Sequence, residues 1–330
     1  MIDLFLTGLF YVFLYGIVIL LFWLADMSKK ESNKKILIVI AVIIASLFAS
    51  LRNTEVGSDT SNTIALYMDS IYARVPLHTL MGELLGNSNE VIYYIIANII
   101  TKIGLGNKVF LFIMEVLIIC PISLCAYKLR KRVLMSATMT FYFLLYYQLG
   151  FNWIRQSIAA SFLLLAIIFL NEKKYVNVVA IAFLSVVFHS SAIIGLLLFG
   201  IAYICSRIEN KNKRRMIIIM TIIIAFFVMK NWQLIGQTLI EKGILPMSYA
   251  GYINVFSGAH GTTYKGWFVV GLKAYVEYGL RILFLVLPSV MFHKINFKYQ
   301  RKDEFYFYRM CVMLSVLVYS AALIGLHTAY

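Results

Sequence analysis

Apolar residues fall in long blocks separated by short polar punctuation, and the blocks reach the length needed to cross a bilayer. They lie at roughly 4–24, 36–51, 108–127, 133–149, 154–170, 175–190, 191–206, 216–231, 267–292 and 306–325, which predicts ten membrane spans. Between the second and third blocks the pattern changes. Ile64, Tyr67, Met68, Ile71, Tyr72 and Val75 recur at helical spacing. That stripe predicts an amphipathic helix lying on the membrane or over a cavity, with Asp59 as a suitable N-cap and Pro76 as its end. Glu90–Gly104 is apolar enough to resemble a span, and whether it crosses must be settled from charge.

Charge settles it through position. Cytoplasmic loops carry the Lys and Arg excess of a membrane protein. With the N-terminus outside, five short loops near Lys29–Lys35, Lys128–Arg132, Lys173–Lys174, Arg207–Arg215 and Lys294–Lys302 hold 19 of the 30 basic residues. The alternation survives only if Glu90–Gly104 does not cross, so that stretch is expected to be a helix half-buried on the outer face. Composition agrees with a membrane class: 62% of the residues are hydrophobic and 14% charged. The net charge of +15 would suggest nucleic acid in a soluble domain. Here its distribution explains it, and no nucleic-acid partner is expected. The four cysteines, Cys120, Cys125, Cys205 and Cys311, all lie in apolar blocks without metal-ligand spacing. Met1-Ile2-Asp3 lacks the basic start of a cleaved signal, so Leu4–Leu24 is expected to remain as a span. The expected fold is an all-α polytopic membrane protein, read as one transmembrane domain over 1–330. Its outer loops are 52–107, carrying the amphipathic and half-buried helices, and 231–266, rich in aromatics and glycine.

On this topology the unusual polar residues collect on the outer side. Phe151-Asn152-Trp153-Ile154-Arg155-Gln156 places a permanent cation between two apolar blocks. A guanidinium at the outer start of a helix, with Asn152 and Gln156 beside it, suits a phosphate or pyrophosphate; the plainer reading is an arginine reaching lipid headgroups. Arg52, just after the second block, admits the same two readings. Asp59 is either a base toward a hydroxyl, a ligand for sugar hydroxyls, or only a cap. His189, in Phe188-His189-Ser190-Ser191-Ala192, is a general base, a phosphate partner or a structural histidine. Lys273, Glu277 and Arg281 share one face of the ninth block, where internal ion pairs account for them and Arg281 is a candidate second phosphate contact. Tyr252 and His260 are candidate glycan contacts in the 231–266 loop, which also reads as an ordinary interfacial aromatic belt. No metal cradle and no nucleotide-binding loop is seen, so neither a metal nor another cofactor is expected.

The order Arg52, Gly57-Ser58-Asp59, Tyr67, Glu90, then Phe151-Asn152 with Arg155-Gln156 and Phe188-His189-Ser190-Ser191-Ala192, resembles the EpsG-type bacterial polysaccharide polymerases. These are relatives of the Wzy-like O-antigen and capsule polymerases. The resemblance runs from about Leu47 to Phe256. It departs at Val91, where many members carry proline, and members commonly continue beyond the point where this chain stops at Tyr330. It implies a metal-independent glycosyltransferase of the GT-C type in the bacterial cytoplasmic membrane, joining undecaprenyl-pyrophosphate-linked oligosaccharide repeats on the outer face. Implied partners are that lipid-linked donor and acceptor, the membrane lipids and a chain-length regulator. Arg52 and Arg155 would bind the donor pyrophosphate, and Asp59 or His189 would take the acceptor proton. Two other classes compete: a flippase for the same lipid-linked sugars, and a membrane acyltransferase that modifies sugars. A flippase predicts internal repeats and charges reachable from both sides, and neither is visible. An acyltransferase would need a donor site on the cytoplasmic face, where only scattered basic residues occur.

Overall fold

The computed structural model describes residues 2–79 and 91–243, and every regular element among them is helical. The chain divides into two compact units, 1–196 and 197–330. The first opens with α1 (Ile2–Met27) and α2 (Glu31–Leu51), both long and apolar enough to cross a bilayer. One face of α2 presents Ala41, Ala45, Ser46, Ala49 and Ser50, all buried. Small residues at this spacing let helix backbones approach closely where lipid provides no hydrophobic drive for association. α2 packs on α1 and on α5 (Asn107–Leu129), and α5 packs on α7 (Ile154–Asn171). Both α5 and α7 are long and apolar enough to span. The core between them holds Phe110, Leu111, Met114, Ile118, Ile154 and Ile158.

Outward-facing positions remain apolar: Val176 is 83% exposed and Phe183 66%. Such a surface is stable against lipid and not against water.

Two further helices are shorter than the blocks that predicted them, and a third is no longer than its block. α6 (Met135–Leu145) has 11 residues and gives way to a 3-10 turn at Gln148–Phe151, α8 (Tyr175–Phe188) has 14, and α9 (Ala192–Arg207) has 16. At about 1.5 Å per residue, 11 residues cover roughly 16 Å, short of a ~30 Å hydrocarbon core. Four of the ten expected spans are therefore long enough on their own among the described residues. The spans expected at 267–292 and 306–325 lie outside the described residues.

Polar contacts sort the ends of the first unit. At one end, Asp26 accepts hydrogen bonds from the N–H groups of Met135 (3.0 Å) and Ser136 (2.9 Å) and from the Ser136 hydroxyl (2.7 Å), so α1 caps α6. At that same end Tyr127 donates to Glu31 at 2.8 Å, and Glu172 bridges Lys128 (3.0 Å) and Lys174 (2.8 Å). The three basic turns of this unit thus meet, as their alternation predicted. Partial burial pushes the Glu172 carboxyl up, but Lys174 and Lys128 outweigh it and hold it below the ordinary glutamate range. A depressed acid contributes stability above its unfolded pKa of about 4.3 and loses it as pH falls through the folded value. Glu172→Gln is accordingly expected to flatten the acid limb of thermal stability below about pH 4.3, a small effect for a partly exposed site, read by melting curves across pH.

The opposite end gathers the remaining polar residues. Segment 52–106 leaves that end and returns to it, because the Lys108 ammonium donates to the Arg52 carbonyl at 2.6 Å. α4 (Val91–Lys102), about 18 Å long, is shorter than a ~30 Å hydrocarbon core and buries Tyr93, Tyr94, Ala97, Asn98 and Ile100. Glu90 itself lies outside the described residues.

The continuous amphipathic helix expected after Asp59 is broken into three pieces. α3 (Ser58–Thr63) is followed by a π-helical turn at Ile64–Met68 and a 3-10 turn at Ile71–Ala73. The wide turn shifts the register, so Ile64, Tyr67 and Met68 are buried while Ile71 is 70% exposed. Asn98 holds the broken end by donating to the carbonyls of Tyr72 (3.0 Å), Ala73 (3.3 Å) and Val75 (2.8 Å). Asp59 is not the N-cap, a place taken by Gly57.

In the second unit, Asn210 caps α10 (Lys211–Lys230) by accepting from the N–H groups of Asn212 and Lys213. α11 (Trp232–Glu241) opens the stretch read as the aromatic outer loop.

Candidate functional site

The site grows from the start of α7. The 3-10 turn Gln148–Phe151 turns the chain so that Trp153 becomes the N-cap and Ile154 the first helical residue. A helix start leaves backbone N–H groups without partners inside the helix and carries positive dipole. Asp59 of α3 answers both. Its Oδ2 accepts the Ile154 N–H at 3.1 Å, and its Oδ1 lies 3.5 Å from Arg155 Nη2. The cap inferred from sequence therefore exists, but it caps a different helix.

Arg155 also donates toward the Tyr67 hydroxyl at 3.5 Å. Tyr67 stacks on Tyr93 at 5.0 Å, and Tyr93 meets Phe188 at 5.7 Å. Phe188 is the last residue of α8, so His189 stands at the same end of the bundle, half-buried just after that helix. The Arg155 side chain is 20% exposed. The guanidinium is therefore reachable. The π-turn that carries Tyr67 is of a kind that often marks functional positions.

Arg52 is placed differently from Arg155. Its side chain is 3% exposed and pairs with Glu115 of α5 at 2.9 Å. Its Nε donates to Thr60 at 3.1 Å, Nη1 also reaches the Ala49 carbonyl, and the guanidinium lies 4.2 Å from the Phe151 ring centroid. This is an interior cation. Asn152 is half-buried at the end of the 3-10 turn, while Gln156 is exposed. Tyr252, His260, Lys273, Glu277 and Arg281 lie outside the described residues. The sequence reading passed over Glu115 and Thr60. Glu115 had a signal, since it is the only acid in Asn107–Leu129, and a lone carboxylate in a spanning helix requires a cation.

An apolar groove of about 440 Å3 between α1 and α6, lined by residues such as Trp23, Leu20 and Thr140, contains no charged side chain and is separate from this cluster.

Asp59→Asn separates capping from chemistry, because the amide oxygen can still accept the Ile154 N–H while the charge is lost. The variant is expected to fold with a near-normal melting temperature and to lose about 100-fold or more in turnover if the carboxylate takes a proton. Normal turnover would leave Asp59 with the cap alone.

The helices define a helical membrane protein, with Asp59 and Arg155 paired at one end of its bundle. A profile of the EpsG family matches residues 35–329, and the chain belongs to that family. Membership points to a polysaccharide polymerase-like activity. No curated protein and no solved structure matches the chain.

Proposed function

We propose that this protein is a multi-pass polymerase of the bacterial cytoplasmic membrane, joining undecaprenyl-pyrophosphate-linked oligosaccharide repeats on the outer face. The observation that carries the reading is Arg155, a reachable cation at the start of α7 within a chain of the EpsG family. Donor pyrophosphate would take the Arg155 guanidinium and the positive end of α7. The acceptor hydroxyl oxygen would attack the anomeric carbon of the donor. The bond from that carbon to the phosphate oxygen breaks, its electron pair leaving with undecaprenyl pyrophosphate, and the hydroxyl proton passes to Asp59 or His189. Fixed positive charge favours this step because negative charge grows on the leaving oxygen.

The basic turns at the far end would face the cytoplasm, and the N-terminus and the site would then lie outside. The fold would be GT-C-like with about ten spans, and the reaction would need no metal. Arg281, Tyr252 and His260 would contact pyrophosphate and glycan from the C-terminal part, Gln156 and Asn152 would lie beside the donor, and a chain-length regulator is the expected protein partner.

The test incubates purified full-length protein in detergent with one defined undecaprenyl-pyrophosphate oligosaccharide and EDTA. A ladder of products spaced by one repeat is expected. Absence of a ladder with several such lipids, together with lipid flipping in vesicles, would replace the polymerase with a transporter.

A further inference from the structure

We propose that Glu115 is a positioning residue that sets the Asp59–Arg155 pair through Arg52. The inference deepens the polymerase reading and rests on it for its kinetic consequence, although its geometric content stands separately.

Arg52 touches both chain segments carrying the pair. Through Nε it bonds Thr60, the neighbour of Asp59, and through its flat face it packs on Phe151, four residues before Arg155. Thr60 in turn reaches the Phe151 carbonyl at 3.4 Å and the Val56 carbonyl at 2.8 Å, so the two segments share one junction. Glu115, fully buried, is the carboxylate that compensates Arg52 there. It sits on α5, which packs on both α2 and α7, and Ser161 of α7 donates to the Leu117 carbonyl at 3.2 Å. The pair is therefore referred to a spanning helix rather than to its own loops.

A purely stabilising role explains this arrangement poorly. Burying two charges is costly, and well-packed apolar residues often serve stability as well or better. The network is also incomplete: Arg52 Nη2 and Glu115 Oε2 have no hydrogen-bond partner among the described residues. A half-satisfied buried network is a weak stabiliser. Its directional bonds instead define where Thr60 and Phe151 stand, and with them Asp59 and Arg155.

The experiment compares wild type, Glu115→Gln and the double variant Arg52→Met with Glu115→Leu, all full-length in detergent. Three quantities are read: melting temperature, kcat and KM with a defined undecaprenyl-pyrophosphate oligosaccharide, and the emission of Trp153. For the last, Trp23, Trp232 and Trp267 are replaced by Phe, leaving the N-cap of α7 as reporter. The double variant is expected to melt at or above the wild-type temperature, yet to lose at least tenfold in kcat and to shift the Trp153 emission. Glu115→Gln keeps an acceptor for Arg52 and is expected to lose kcat as well, with a loss that does not multiply with that of Asp59→Asn. A double variant with wild-type kcat and unchanged Trp153 emission overturns the proposal, as does a Glu115→Gln variant normal in both if the double variant does not fold. If wild type forms no polymer from any lipid, the functional reading fails alone, and the Trp153 shift still decides the positioning role.

Discussion

Arg155→Ala is expected to lower polymer formation by about 100- to 1,000-fold while the protein is made at the wild-type level. Removing one fixed donor from a developing anion typically costs about 2.7–4 kcal/mol in the transition state. Folding should be affected less, because Arg155 is partly exposed and its pair with Asp59, at 3.5 Å, is of the kind that contributes about 0–1 kcal/mol near a surface. Ile154 keeps its bond to Asp59 at 3.1 Å, so the helix start survives the truncation. Arg155→Lys should fall between, since the charge remains but the planar fork is lost. Radiolabelled product ladders, normalised to purified protein, check this series. Equal polymer amount and length from Arg155→Ala would remove Arg155 from the pyrophosphate site.

The second large effect is structural, and Gly57→Ala is expected to destroy the site by preventing its closure. Gly57 has φ of 90°, a conformation other residues adopt only under strain. A Cβ there would also lie 2.3 Å from the Phe151 carbonyl oxygen and 2.7 Å from its carbonyl carbon. These are backbone atoms and cannot rotate aside. Backbone strain and overpacking each cost about 1–3 kcal/mol, so the sum is about 2–6 kcal/mol. Phe151 is also the residue on which Arg52 rests, so any relaxation pulls the α3 and α7 segments apart. A much lower melting temperature, or loss of the protein from the membrane fraction, is the expected result. A normal melting temperature with normal activity would show that the two segments do not meet as closely as described.

Much of the site was legible because membrane chemistry is intolerant. Arg155 stood out between two apolar blocks, Asp59 stood out beside Gly57, and the basic turns sorted themselves by sign. What stayed hidden depended on partners distant in sequence. Asp59 reads as the cap of the helix beginning at its own position, and nothing local reveals that its carboxylate serves Ile154, which is 95 residues away. Arg52 reads as a second outward cation like Arg155, and only its bond to Glu115, 63 residues on, places it in the interior. The stripe from Ile64 to Val75 reads as one helix because periodicity carries no warning of a π-turn.

The sequence by itself determined that this is a helical membrane protein, which ends of its helices gather positive charge, and which family it belongs to. These follow from composition, from the length of apolar blocks and from local motifs, and all are properties of the chain read in one dimension. Tertiary structure alone decided which of two similar arginines remains reachable and which carboxylate each one meets. An ion pair depends on the distance between side chains, and in this bundle that distance is set by how α2, α3, α5 and α7 pack.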